Sequence, residues 1–381
     1  MPRFRAEEVR PFGIAVMHSA GATAEEAALI VDHHIDAILT GEEDHGLPLG
    51  TQYIPDMREG AIKPGTPFTV EKETPTTLMV HGNFNFGHYV SHHVMQRLIA
   101  KAKTQNVAAA SIRYQCHVGR LIDYTAMAAR EGMIALMMCD GAWGPKFMAP
   151  HGGRDRRLGI NPWSMCLPND TGGVVGFDMT AAVSSGSKVL RARERGEPVP
   201  EGWLADKDGK PTTDPEAFFK GGSFLPVGGV VAHKGYALCF MIEAMADVLS
   251  GMEYREEPGR PWPIIDGCFM ALFNVEAFRP LIDFKRDMAG FIEWVKSSRP
   301  ADGSPGVFYP GERSNTTKQK RLKDGIDIPK FIWDRIMGFA RDYGVSESLA
   351  PRALGPSPGD DIKAAAEGIP KTFVQSIQPK K

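Results

Sequence analysis

Residues 107–138 read VAAASIRYQCHVGRLIDYTAMAAREGMIALMM, and three textures follow one another inside them. The short apolar run 107–112 reads as a strand, and so does 133–138. Between them, residues 121–131 read as a helix, entered through the turn Cys116-His117-Val118-Gly119. Strand, turn, helix and strand in succession predict a layered α/β domain. Working upstream, 77–80 reads as another strand and 90–104 as another helix, so this texture begins near residue 68. Before it the chain is helical. Thr23 and Glu26 form a T-x-x-E capping box, and Ala28, Val31, Ile35 and Ile38 recur at helical spacing behind it. That predicts an amphipathic helix over 24–39, ending at Thr40-Gly41 just before Glu43-Asp44-His45-Gly46. A connection bearing proline and glycine, 62–67, follows.

Downstream, 192–217 is polar and rich in turn residues, which predicts a surface loop. Residues 235–249 read as an apolar, Met-rich, buried helix, with a polar, proline-rich stretch after Gly251. Helices return over 289–297 and 329–343. The tail 350–381 is expected to be mobile or to wrap a partner subunit. No internal repeat is visible.

Composition narrows the function classes. The 381 residues are 43% hydrophobic and 24% charged, enough for a sizeable core. A net charge of −2 supplies no basic field for nucleic acid. No run approaches the ~18 apolar residues of a membrane span, and the charged segment 1–8 has no apolar core of a secretory signal. Five cysteines (Cys116, Cys139, Cys166, Cys239, Cys268) lack any C-x-x-C spacing, which fits free thiols in a reducing cytoplasm. The chain has no G-x-G, Walker A loop, G-x-S-x-G or H-E-x-x-H. A dinucleotide, if bound, sits on something other than the usual strand–glycine loop–helix.

Two histidines stand in loops beside flexible residues, His45 and His117. A histidine at such a turn faces a cleft readily, and its usual pKa near ~6.5 suits proton exchange. Taken alone, either is more often an ordinary hydrogen-bonding residue. His88, His92 and His93 form H-x-x-x-H-H on a predicted helix. Two such ligands do not make a metal site, so a solvated helix face is expected and no metal is assigned. Thr180 to Gly186, bracketed by Asp178 and Lys188, is a stretch suited to open a helix and receive a phosphate. Lys234-Gly235, opening an apolar helix, is a second phosphate candidate.

In order along the chain stand His45-Gly46, Cys116-His117-Val118-Gly119 with Tyr124, Pro150-His151-Gly152-Gly153, and Leu158-Gly159-Ile160-Asn161-Pro162. Asp178-Met179, Pro200-Glu201-Gly202-Trp203, Thr212-Thr213-Asp214-Pro215, Pro226-Val227-Gly228-Gly229, Lys234-Gly235-Tyr236 and Tyr309-Pro310-Gly311-Glu312 follow. This series resembles the type-2 malate/L-lactate dehydrogenase family, which includes sulfolactate and ureidoglycolate dehydrogenases and cyclic-imine carboxylate reductases. The resemblance implies a non-Rossmann two-part α/β fold. Residues 1–67 and 275–381 would form a helical substrate and dimerisation part, and 68–274 an α/β part with a mixed sheet that holds NAD or NADP. It implies interconversion of a small 2-hydroxy acid and its 2-oxo acid, in a homodimer with the active site near the interface. The alternatives are a cyclic imine carboxylate reductase and a catalytically silent cofactor-binding paralogue. By the same resemblance His117 is the proton donor and acceptor, and His45 is the histidine on the substrate side. Asn161, Pro162, Asp178, Met179, Thr180, Lys234, Pro310, Gly311 and Glu312 are cofactor contacts. Tyr124 supports the His117 loop on the substrate side.

The substrate side departs from the family pattern. That pattern reads Ser-His-Gly-x-x-Arg at the first histidine, the arginine gripping a carboxylate. Here Asp44 stands for the serine and Leu49 for the arginine. Tyr114-Gln115 precedes Cys116, Cys139-Asp140 replaces Thr-Asn, and 141–147 adds Trp143 and Lys146. A leucine makes no charge-assisted pair. Arg120 is therefore expected to replace the missing anchor. In a second reading, Leu49 marks an apolar group on the substrate, with Trp143 or Lys146 contributing.

Overall fold

The computed structural model describes residues 1–141, 144, 146–252 and 265–355. The stretch 253–264, the tail 356–381, Trp143 and the side chain of Leu49 lie outside that description.

The strand expected at 107–112 runs longer, Val107–Cys116, and lies inside a seven-stranded sheet. Across the sheet the order is Thr69–Glu73, Thr77–His81, Val107–Cys116, Ile265–Asn274, Met133–Gly141, Pro162–Leu167 and Val175–Thr180. Thr77–His81 and Val107–Cys116 pair in parallel, because the helix Gly87–Gln105 makes the crossover between them. Every other pairing in this sheet is antiparallel. Ile265–Asn274 inserts between two strands that are neighbours in sequence, a placement no local pattern announces. Ala108, Ala110 and Ile112 bury one face under Val94, Leu98 and Leu121.

The two chain ends share one core. Val9, Phe12 and Val16 of the helix Ala6–Ser19 meet Ile30, Val31 and Ile35 of Ala24–Thr40, together with Ile332, Ile336 and Ala340 of Lys330–Asp342. The capping box is formed: Glu26 N–H donates to Thr23 Oγ1 at 3.2 Å, and Thr23 N–H to Glu26 Oε2 at 2.8 Å. The buried Glu26 also accepts from Asn85 Nδ2 at 2.7 Å and Gly65 N–H at 2.8 Å, so its burial leaves no polar atom stranded.

Two expectations are corrected. Residues 192–217 are not one loop: they supply the end of the helix Gly186–Arg195, the strands Leu204–Ala205 and Pro211–Thr212, and part of the short helix Pro215–Phe219. Ser223–Phe224 completes that three-stranded sheet, and Phe218, Phe224, Leu204 and Val189 pack into a third core. Two-residue strands are too short to carry a hydrophobic period, which is why they read as loop. The apolar helix His233–Glu243, continued by a single π-helical turn, is not buried all round. Phe240 and Met241 are 54% and 58% exposed.

All five cysteines are buried and unpaired. No helix of the described residues is long and apolar enough to cross a membrane.

Candidate active site

His117 follows the strand Val107–Cys116 in a loop that is held at several points. Val118 N–H donates to Asp266 Oδ2 at 3.0 Å, and Tyr124 Oη donates to Val118 O at 2.6 Å. Tyr124 thus holds the loop from behind. Gly119 has φ 73°, and a Cβ there would stand 2.2 Å from His33 Nε2, so only glycine fits. Tyr53 Oη lies 2.8 Å from His117 Nδ1. Burial pushes the His117 imidazole down to about 3, helped by His45 and His33. His45 ends the turn Glu43–His45, its Nδ1 buried without a partner, and burial with His33 nearby pushes it down to about 4. Its neighbour Asp44 accepts from Ser187 Oγ at 2.6 Å and Arg191 Nη2 at 3.0 Å, tying this turn to the helix Gly186–Arg195.

Both histidines line a cavity of about 1270 Å3. Asn161, Pro162, Asp178, Met179, Thr180, Pro310 and Gly311 line the same cavity. Its volume exceeds the ~300–1,000 Å3 of a pocket for one drug-sized ligand, which leaves room for a dinucleotide and a small substrate together. Asn161 is held in a left-handed conformation, φ 47°, by hydrogen bonds from Nδ2 to Cys239 O at 2.9 Å and Glu243 Oε2 at 3.1 Å. Its Oδ1 is buried without a partner. Asp178 accepts from Ile122 N–H at 3.0 Å, and burial raises its carboxyl to about 7. Gly172 also lines the cavity, and a Cβ there would meet nothing within 4 Å. The 13-residue helix Glu312–Asp324 begins at the wall through Gly311, Ser314 and Asn315. A helix N-terminus favours phosphate. The orphan acceptor, the open glycine and the helix end fit a nicotinamide dinucleotide.

Several expected site residues are placed elsewhere. The Arg120 guanidinium, 5% exposed, is engaged inside the protein. Nε and Nη2 donate to the two Asp123 oxygens at 3.2 and 2.7 Å, and Nη2 also meets Asp36 Oδ2 at 3.0 Å. Arg120 lines the cavity wall, but its cation is already paired with Asp123 and Asp36, so it is not the unpaired anchor expected. Lys146 is buried as well, 2.8 Å from Asp140 Oδ2 and 3.1 Å from Glu243 Oε1. With Asp247, those two acids bring three carboxylates within 4.8 Å, and the Lys146 ammonium sits beside two of them. Lys234 is exposed in the first turn of His233–Glu243 and is not part of the cavity wall. Glu312 turns away from the cavity to accept from Tyr309 N–H at 3.1 Å and to pair with Lys296. His88, His92 and His93 do not form one solvated face. His88 is 2% exposed with its ring 4.6 Å from that of His33, whereas His93 pairs with Glu25 at 3.1 Å.

Sequence reasoning missed Tyr53 and Asp266. Neither carries a local signal, since Tyr53 lies 64 positions from His117 and Asp266 is 148 from Val118.

The fold and this two-histidine cavity define a dehydrogenase of the non-Rossmann type. The malate/L-lactate dehydrogenase family profile matches residues 4–337, and the chain belongs to that family. It is 32% identical to a malate dehydrogenase of Pyrococcus abyssi, over 90% of this chain and 95% of that protein. It is also 32% identical to the malate/(S)-sulfolactate dehydrogenase of Methanothermus fervidus, over 89% of this chain and 97% of that protein. The crystal structure of malate dehydrogenase from Entamoeba histolytica superposes with a TM-score of 0.84 at 27% identity, covering 90% of this chain and 98% of that one. The protein is an oxidoreductase of the hydroxy acid/oxo acid class.

Proposed function

We propose that the protein interconverts a small 2-hydroxy acid and the corresponding 2-oxo acid with NAD or NADP, using His117 as the proton donor and acceptor. The observation that carries this reading is the shared cavity in which His45 and His117 face the same space as Asn161, Gly172 and Gly311. Bound NAD(P) supplies the acceptor or donor of hydride. Asn161 Oδ1 offers an acceptor to a carboxamide, and the N-terminus of Glu312–Asp324 offers its N–H groups to phosphate. In the oxidative direction the neutral His117 ring takes the hydroxyl proton as hydride leaves the carbon. In reduction the protonated ring returns it to the carbonyl oxygen. Its depressed pKa keeps the His117 ring neutral in the free protein. An anionic substrate and the cofactor phosphates then favour the imidazolium when they bind. Along the sequence, Asp44 and Leu49 stand where the family pattern carries serine and arginine around the first histidine.

The test is turnover with malate, lactate and sulfolactate, comparing the wild type with His117→Asn. The variant is expected to lose at least the ~10²-fold in kcat typical of a missing acid–base group, while NAD(P)H affinity by fluorescence stays near normal. Near-normal turnover in His117→Asn would remove the assignment. Cofactor binding by the wild type without turnover of any 2-hydroxy or 2-oxo acid would remove the activity itself. The working unit of this proposal is a homodimer, and the buried, unpaired thiols suit a reducing cytoplasm.

A further inference from the structure

Tyr53 is 1% exposed on the helix Leu47–Arg58, and its hydroxyl meets the Nδ1 edge of His117 from across the fold. Its ring is fixed by aromatic neighbours: Phe86 at 5.9 Å, His34 at 5.7 Å and His88 at 5.7 Å between centroids. We infer that Tyr53 is the positioning residue of His117, a neutral hydroxyl that holds the imidazole in one orientation through every protonation state of the catalytic cycle. This rests on the assignment of His117 above.

The argument starts from what an imidazole needs at its second nitrogen. When His117 is neutral with its proton on Nε2, Nδ1 is an acceptor and needs a donor. When the proton is on Nδ1, or the ring is an imidazolium, the same nitrogen is a donor and needs an acceptor. A carboxylate serves only the second case and a backbone N–H only the first. Gly119 N–H, 3.3 Å from Nδ1, is such a backbone donor. A phenol serves both, because its O–H rotates. The 2.8 Å contact therefore survives proton gain and loss at Nε2 without movement of the ring.

The surroundings explain why this partner is neutral. The groups packed around the ring come from five elements: His33 and His34 from Ala24–Thr40, His45 from its turn, Tyr53, His88 from Gly87–Gln105, and Asp266 from Ile265–Asn274. His33 is paired with Asp123 at 2.9 Å. Burial holds His34 and His88 well below the usual histidine range, and it holds Asp266 well above the carboxylate range. It also raises the Tyr53 phenol well above its usual value, so tyrosinate does not form. The hydroxyl at Nδ1 is thus uncharged, and it does not favour the imidazolium before substrate arrives. In the oxidative direction the proton balance is complete without Tyr53 ionising. Hydride leaves the carbon for NAD(P)+, the hydroxyl proton passes to Nε2, and Nδ1–H donates to Tyr53 Oη.

The test uses the full chain, with steady-state kinetics from pH 5 to 10 on the best acid substrate, NAD(P)H affinity by fluorescence, and thermal melting. Tyr53→Phe keeps the ring and removes the hydroxyl. It is expected to lower kcat by ~10-fold or more and to shift the apparent pKa of kcat, which reports the substrate complex, downward, with cofactor affinity unchanged within ~2-fold. Site-specific 3-fluorotyrosine at position 53 keeps the hydroxyl but makes it more acidic and a weaker acceptor. It is expected to retain most turnover while moving the profile in the same direction. Tyr53→Phe with wild-type kcat and an unmoved pH profile would overturn the proposal. So would lost turnover accompanied by lost cofactor binding and an unmoved profile in the fluorinated protein, which would mark a purely structural role. His117→Asn separates the two claims. If it is inactive while Tyr53→Phe is normal, only the Tyr53 role fails, and if His117→Asn is active the catalytic assignment itself fails.

Discussion

Arg120 shows how a residue next to a catalytic loop differs in role from one inside it. Its guanidinium makes a two-point contact with Asp123 and a further one with Asp36, and its backbone N–H donates to His33 Nε2 at 2.8 Å. Removing one partner of a buried ionic cluster leaves the others uncompensated and costs ~3–5 kcal/mol when the site is dry. Asp123 and Asp36 keep 23% and 31% of their side-chain surface, so a smaller loss, about 2 kcal/mol, is expected here. Arg120→Ala should therefore lower the melting temperature by several degrees, while KM for the acid in the folded variant changes little. A steep rise in KM with an unchanged melting curve would restore the role of substrate anchor. The candidate site was legible where function sits in short strings: His45, His117, Asn161, Asp178 and Gly311 all reach the cavity. It was illegible where a charge is cancelled from far away. Arg120 meets Asp36 across 84 positions and Lys146 meets Glu243 across 97, partners that no local pattern reveals, whereas Asp123 and Asp140 stand close in sequence to the cations they pair with.

At the scale of elements, the helix Ala24–Thr40 was legible because its start and its periodicity agree. Thr23 and Glu26 specify where it begins, and the apolar positions specify the face it buries. Its C-terminal half then presents Asp36 and Thr40 to the cavity wall beside Arg120. Thr23→Ala removes one half of the capping box and should cost ~1 kcal/mol, read as a lower midpoint in urea with an unchanged slope. Glu26→Ala should cost more, because it also removes the acceptor of Gly65 N–H and one of the two acceptors of Asn85 Nδ2. Equal losses in the two variants would mean that the capping interaction alone sets the effect. The small sheet around Leu204 and the insertion of Ile265–Asn274 were not legible. Two-residue strands carry no period, and strand order is set by which edge is free when the chain returns.

At the scale of the whole molecule, two groups of apolar side chains stand exposed among the described residues of the chain. One is on the helix Leu281–Lys296, where Ile292 is the buried residue and Ile282, Phe291 and Trp294 stand exposed. The other runs from Val230 through Phe240 and Met241 to Val248 and Leu249. Exposed apolar side chains grouped on one helix are candidates for association surfaces, at ~1.5–3 kcal/mol for each large side chain fully buried. In the proposed homodimer we assign the second surface to the interface, because its helix also holds the site. Cys239 and Glu243 fix Asn161 from the inner side of that helix, and Val227, just before it, lines the cavity. A closed two-fold contact there would present the same patch from both copies and couple cofactor binding to assembly. Light scattering on the wild type is expected to give twice the chain mass of 41.7 kDa. Met241→Glu places a charge in the centre of the patch without touching Asn161, and it should shift the protein to monomer with weakened NAD(P)H binding. Trp294→Glu should leave the dimer intact. A dimer that survives Met241→Glu but dissociates in Trp294→Glu would move the interface to the other face and separate assembly from the cofactor site.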